Sequence, residues 1–396
     1  MLAEAAEIEH TLMCSYLYAA FSLKGCGDEG LTTEQADAVE RWRKSIMDVA
    51  IEEMGHLLIV ANLTMAVGGR PHFARPNFPV SPGYFPAAVV VRLSGFCEQT
   101  LDHFIFLERP QGVEGEDADA FVEEAYCRSQ ARVGLMPAPQ DYATIGHLYD
   151  AIRANIRALA GSLTEQGLFL SGTAGQLGAD DIEMEGVDVI GDVATAMRGI
   201  DLVVEQGEGS PSDREDSHYR SFVAIKSELH ELMAVDSAFA PAWSVVDDPV
   251  LRCPPEGSAA CLIDDPAAIP LLDFACATYG LLLRTLTQCF GRTGSSARDD
   301  RSALLGVSFT LMHALAAAAG ALAKCPAGAS HPGLNAGMTF TMLRGVEPLL
   351  GGIVEQTIIR ERLAGLADGS LKLAGHLSQN ITTQLGSLAR SFVLGQ

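Results

Sequence analysis

Residues 46–64 read Ile46-Met47-Asp48-Val49-Ala50-Ile51-Glu52-Glu53-Met54-Gly55-His56-Leu57-Leu58-Ile59-Val60-Ala61-Asn62-Leu63-Thr64. Ile46, Val49, Ala50, Leu57, Val60 and Thr64 recur at helical spacing and make one stripe. Glu53 and His56 stand in that stripe three residues apart, so a carboxylate and an imidazole share a helix face. A carboxylate in an apolar stripe is costly to bury unless it is paired or binds a metal. Helical bundles that hold two irons use such Glu-x-x-His pairs with Glu residues of neighbouring helices. Alone the motif is weak, because it occurs by chance on many surface helices.

The helix that carries this stretch is predicted to run from Thr33, a capping residue, to Val67, where Gly68-Gly69 closes it. An amphipathic helix, Leu2–Lys24, precedes it and stops at Gly25-Cys26-Gly27. Prolines exclude regular helix from Arg70–Pro86. A shorter helix near Pro86–Glu108, an acidic connector at Gly112–Asp119 and a helix at Tyr142–Gly161 follow. A Gly-rich stretch with short-strand character, Leu168–Leu177, leads to a helix at Val187–Gln206. Gly207-Glu208-Gly209-Ser210-Pro211 breaks that helix before another at Asp213–Ala234. The loop Ala240–Pro266 is the best internal boundary, dividing a metal-binding bundle (1–238) from a C-terminal helical region (239–396). The latter holds helices at Ala267–Phe290, Arg298–Ala323 and Gly337–Leu366 and a partly helical tail. No fixed-period repeat is present and almost nothing alternates with strand period, so the class is all-α.

Register strengthens the metal reading. Glu9 shares a stripe with Leu2, Ala6, Leu12, Met13 and Tyr16. It lies about 15 residues before the first turn, and Glu53 about 20 residues beyond it, so an antiparallel pair brings them to similar height. Counted the same way, His147 and Glu205 fall near that level on the following two helices. His218 shares an inward stripe with Phe222, Ile225, Leu229 and Leu232. Glu215, three residues earlier, makes a second Glu-x-x-His, and Glu208 is three after Glu205; not all of these can be ligands. Plainer readings stay open: Glu9 and Glu53 as a buried ion pair with Arg41 or Arg43, His56 and His218 as packed core histidines, His147 as an ordinary helix-face residue, Glu205 as a solvated helix end. Tyr16 and Tyr18 suit either redox-active phenols or core packing.

Composition narrows the function. The 396 residues are 48% hydrophobic, and 50 acidic against 27 basic residues give a net charge of −23. Such a surface offers no basic face to nucleic acid or to an anionic membrane. Nine cysteines include no C-x-x-C pair, which speaks against zinc ribbons and thioredoxin-like motifs. A reduced, cytoplasmic protein without a signal peptide is expected. Ser302–Ala323 and Leu271–Phe290 are apolar enough to be weighed as membrane spans; without aromatic belts or positive flanks they read as buried helices. No G-x-G-x-x-G, Walker loop or G-x-S-x-G elbow occurs.

Glu9-His10 with Tyr16-Leu17-Tyr18-Ala19, Glu53-Met54-Gly55-His56-Leu57, Ala61-Asn62-Leu63 and Gly68-Gly69-Arg70-Pro71 together resemble the ferritin-like domain of iminophenyl-pyruvate dimer synthases of violacein and indolocarbazole biosynthesis. Thr144-Ile145-Gly146, Tyr149-Asp150-Ala151-Ile152, Glu205-Gln206-Gly207-Glu208-Gly209, Ser217-His218-Tyr219, Phe239-Ala240-Pro241, Asp248-Pro249 and Arg360-Glu361-Arg362-Leu363 extend the resemblance over most of the chain. Those synthases carry a further large N-terminal portion, expected to be absent here. Where their Thr-Ile-Gly-Glu run has a carboxylate, this chain has His147. The resemblance implies an all-α, ferritin-like four-helix bundle with a C-terminal helical extension. The expected metal ligands are Glu9, Glu53, His56, His147, Glu205 and His218, holding two iron ions, the second more weakly. His10, Glu208 and Glu215 would orient ligands or move protons. The expected activity is that of a non-haem di-iron oxidase or oxygenase. Dioxygen would be co-substrate, and an amino-acid-derived small molecule such as an indole or imine the substrate. A redox-silent imine-coupling protein and an iron store are the alternatives. The C-terminal helices are expected to pack on the bundle or across a homodimer interface.

Overall fold

A computed structural model describes the chain apart from residues 26–29, 87–88, 120, 122–138, 208–216, 343–345, 350 and 396. The first helix, α1 (Leu2–Ser22), is buried over most of its surface and forms a hairpin with α2 (Thr33–Ala66). Thr32, one residue before the expected cap, opens α2: its hydroxyl accepts Gln35 N–H while the Gln35 side chain accepts Thr32 N–H. Gly68 closes α2 at φ +87°, its N–H returning to Met65 O.

The next helix, α3 (Glu98–Leu107), is shorter than expected. Val80 and Val91 pair as an antiparallel bridge, which holds the preceding segment extended. Thr144 caps α4 (Ile145–Leu163), and a single-turn helix, α5 (Glu165–Leu168), follows. The stretch 168–177 forms turns and no strand. Helix α6 (Val193–Gly207) starts six residues later than expected, because the Asp192 carboxylate accepts Thr195 N–H at 2.7 Å and sets the first turn there. Ser217 likewise caps α7 (His218–Val235). Helices α3 and α7 pack together, as do α4 and α6, around the α1–α2 hairpin.

Beyond the bundle, strands β1 (Pro249–Val250) and β2 (Cys261–Leu262) make one short parallel pair. Two helical hairpins follow, α8 (Ala268–Cys289) with α9 (Ala297–Leu322), and α10 (Ile353–Leu371) with α11 (Gln379–Ser391). The third C-terminal helix was expected from Gly337; Pro348 and Gly351-Gly352 delay it to Ile353. Buried side chains form one continuous apolar core through bundle and C-terminal hairpins. Polar links reinforce it: His10 Nε2 lies 2.6 Å from the Tyr279 hydroxyl, Arg75 donates to Phe340 O, and the Tyr18 hydroxyl donates to Val246 O. By length and composition α2, α8 and α9 could each cross a membrane; 72%, 61% and 50% of their most apolar windows are buried inside the fold.

Candidate metal centre

Four helices converge on one buried cluster. The second turn of α1 supplies Glu9, the middle of α2 supplies Glu53 and His56, the residue ending α3 is Glu108, and His218 opens α7. All are 2% exposed or less. Two sets of donor atoms, Glu9/Glu53/His56 and Glu53/Glu108/His218, each lie within 4.8 Å of one another, so Glu53 belongs to both. His56 Nδ1 is 3.2 Å from Glu53 Oε2 and 3.4 Å from Glu9 Oε2. His218 Nδ1 is 3.0 Å from Glu53 Oε1 and 3.7 Å from Glu108 Oε2. The two imidazoles stack at 5.5 Å between centroids, 29° from parallel.

Around this core four of the five groups have an outer partner. The Tyr149 hydroxyl donates to Glu9 Oε1 and the Tyr16 hydroxyl to Glu108 Oε1. Tyr16 itself packs edge-on against Phe104 and beside Phe222. His56 Nε2 meets Gln206 Oε1 at 2.9 Å, and His218 Nε2 meets Glu52 Oε2 at 2.8 Å. A cavity of about 10 Å³ opens beside the cluster, walled by Ile145, Gly146 and Tyr149 of α4 and Val203, Val204 and Gly207 of α6. That is room for about one water-sized molecule.

The electrostatics are those of a site that wants positive charge. Burial, and then the charge of Glu53, pushes the Glu9 carboxyl up to about 8. Burial would also raise Glu53, but the charge of His56 and the imidazole of His218 hold it below the usual carboxylate range. Burial opposes charging His56, yet Glu53 lifts it to about 10. His218 likewise lies well above its ordinary value despite burial, because Glu108, Glu52 and Glu53 surround it. Tyr16 and Tyr149 are driven well upward by burial and then by the carboxylates they touch, so both remain neutral donors. Protons thus do in this cluster what a divalent cation would do.

A metal fits these residues on a specific observation. His218 Nδ1 is fully buried and makes no hydrogen bond: Glu53 Oε1 is close, but off the angle a hydrogen bond requires. Without a metal that nitrogen carries a proton between two carboxylates; a divalent cation would replace the proton and use the nitrogen's lone pair. Imidazole and carboxylate donors suit iron or manganese.

The structure brings Glu9, Glu53, His56 and His218 together and leaves two expected ligands outside. His147 sits in the first turn of α4, half-buried, with Nδ1 turned back to the Thr144 hydroxyl at 3.2 Å. The rotation of α4 against its neighbours points Gly146 and Tyr149 at the cluster instead. Glu205 is exposed, and its neighbour Gln206 is the buried residue that reaches His56. Glu208 and Glu215 lie outside the described residues. His10 faces away, between Phe73 O and Tyr279. Neither arginine weighed as an ion-pair partner reaches Glu9 or Glu53: Arg41 pairs with Glu228 and Arg43 with Glu40, and the two carboxylates face His56 and His218 instead. Glu108 was missed, although Leu101 and Phe104 precede it on the same buried face. Glu52, Tyr149 and Gln206 carried no ligand signal of their own.

Comparison with known proteins agrees with the resemblance read from the sequence. The Ferritin-like family model matches residues 2–227. Dichlorochromopyrrolate synthase of Lentzea aerocolonigenes is 29% identical over 355 residues, covering 78% of this chain and 32% of that protein. The 2-imino-3-(indol-3-yl)propanoate dimerase of Chromobacterium violaceum is 27% identical over 341 residues, 79% of this chain and 31% of that protein. The chain therefore spans about a third of the length of these curated relatives. A solved ferritin-like protein of Caulobacter vibrioides aligns with a TM-score of 0.48 at 16% identity, over 85% of this chain and 95% of that one.

Proposed function

This chain belongs to the Ferritin-like family, and from that premise we propose that it is a non-haem iron oxidase or oxygenase acting on an aromatic amino-acid-derived intermediate in natural-product biosynthesis. The carrying observation is the pair of buried Glu/His triads that share Glu53. Glu9, Glu53 and His56 would hold one ion; Glu53, Glu108 and His218 would hold the other. Iron held there would supply the electrons for reducing dioxygen. The names of the relatives, a synthase and an indole-imine dimerase, favour an indole-derived imine as the substrate class.

The chain's own residues have separable tasks. Tyr149 and Tyr16 fix Glu9 and Glu108 by hydrogen bonds and, being neutral, add no charge to the site. Ile145, Val203 and Val204 keep bulk water from the cluster. The cavity they enclose has room for about one water-sized molecule and none for an indole. Substrate would therefore approach from the α4–α6 side.

One observation favours a second reading. A site too small for an indole, on a chain resembling a dimerase, is compatible with coupling of reactive imines without oxygen chemistry. Anaerobic ferrous titration, followed by oxygen-uptake measurements with and without an indole-derived imine, separates the two. An oxidase binds about two ferrous ions per chain and consumes oxygen faster when the imine is present. Unchanged product formation by metal-free protein would establish the redox-silent reading. Oxygen uptake that leaves every added imine unmodified would point to iron storage.

A further inference from the structure

The two halves of the centre are matched in every inner group. Each has the shared Glu53, one terminal carboxylate held by a buried tyrosine, and one imidazole offering Nδ1 inward. Among the described residues they differ in the acceptor on the outer nitrogen of that imidazole. His56 Nε2 meets the Gln206 carboxamide oxygen, and His218 Nε2 meets the Glu52 carboxylate. An N–H that donates to a carboxylate leaves more electron density on the opposite nitrogen than one that donates to a neutral amide, and both fix the tautomer.

We propose that Glu52 and Gln206 are positioning residues that make the two halves unequal: Glu52 renders the Glu53/Glu108/His218 half the tighter seat for a divalent cation, and Gln206 leaves the Glu9/Glu53/His56 half the weaker one. Glu9, Glu53 and His56 all line the cavity beside Tyr149 and Gly146 of α4; Glu108 of the other half lines it too, while His218 does not and Tyr16 packs there with Phe104 and Phe222. The weaker half thus presents all three of its ligands to the open volume, and the tighter half two. The inference rests on the metal-binding reading above.

Anaerobic titration of the full chain with cobalt(II), followed through its d–d absorption bands, tests it. Wild type should fill in two steps. Glu52→Gln, which keeps the shape and removes the charge, should weaken the first step about 10–100-fold and spare the second. Gln206→Glu should tighten the second step about tenfold and narrow the gap. Glu108→Gln should abolish the tight step, assigning it to that half. A merely structural role would lower the melting temperature of the metal-free variants without moving the steps or the spectrum. Two bound ions with both steps within about twofold of wild type in Glu52→Gln and Gln206→Glu would overturn the inference and leave the metal reading standing. If Glu52→Gln fails to fold, Gln206→Glu decides alone. Failure of wild type to bind cobalt in this cluster would overturn the metal reading and the inference with it.

Discussion

Glu108 carries two unfavourable features: it is 2% exposed, and it ends α3, where the helix dipole is negative. A carboxylate persists there only if positive charge faces it, which His218 supplies in this structure and a metal would supply more strongly. Glu53 serves both halves, whereas Glu9 and Glu108 serve one each. Glu53→Ala or His56→Ala should therefore abolish full loading while circular dichroism stays helical. Glu108→Ala should bind half the iron of wild type. His147→Ala and Glu205→Ala should load normally and change stability by no more than about 0.5 kcal/mol, as half-buried or exposed helix positions do. Metal analysis of the purified variants checks each, and full occupancy in Glu53→Ala would refute the assignment. The exchange of Glu205 for Gln206 has a simple origin. One residue along a helix turns the side chain by about 100°, so a small error in rotation presents the neighbour instead.

The α6 helix sets the geometry of the centre more than its own chemistry suggests. It lies close enough to α2 that a Cβ at Gly199 would stand 2.9 Å from Ile59 Cγ2. At its end, a Cβ at Gly207 would stand 3.3 Å from Glu108 Oε2. These close approaches bring Gln206 to His56. Gly199→Val should destabilise by about 1–3 kcal/mol through overpacking and lift α6 from α2. Denaturant unfolding measures the first effect and a changed cobalt spectrum the second; an unchanged spectrum in a destabilised variant would show that Gln206 keeps its place without this contact. At element scale the helices themselves were legible from apolar periodicity. The starts of α3, α6 and α10 were not, because the Val80–Val91 bridge, the Asp192 cap and the break at Gly351-Gly352 depend on local bonds that periodicity does not encode.

At the scale of the whole molecule, bundle and C-terminal hairpins meet across buried polar joints. Asp248 is one: its Oδ1 accepts Leu93 N–H at 2.9 Å, while Oδ2 is buried without a hydrogen bond. Burial raises its carboxyl to about 7. A carboxyl that holds its proton more tightly when folded stabilises most at low pH, and that contribution is lost as pH rises through about 7. Asp248→Asn, at a backbone φ of +42° that Asn tolerates, should gain on wild type between pH 5 and pH 8 in denaturant unfolding. An equal difference at both pH values would count against the ionisation. The long apolar helices α8 and α9 pack against each other and against α10, α11 and α1. The chain is accordingly expected in the supernatant without detergent, and recovery solely with membranes would reverse that expectation. The sequence by itself determined the all-α class, the α1–α2 hairpin and the candidacy of Glu9, Glu53, His56 and His218, because each follows from periodicity within one helix or from the short connection between two. Only the tertiary structure decided that Glu108 completes the cluster, that Tyr149 and Gln206 stand where His147 and Glu205 were expected, and that Glu52 lies behind one imidazole. The rotation and height of a helix relative to its neighbours are set by packing between distant segments, and a single turn of error there exchanges one side chain for another.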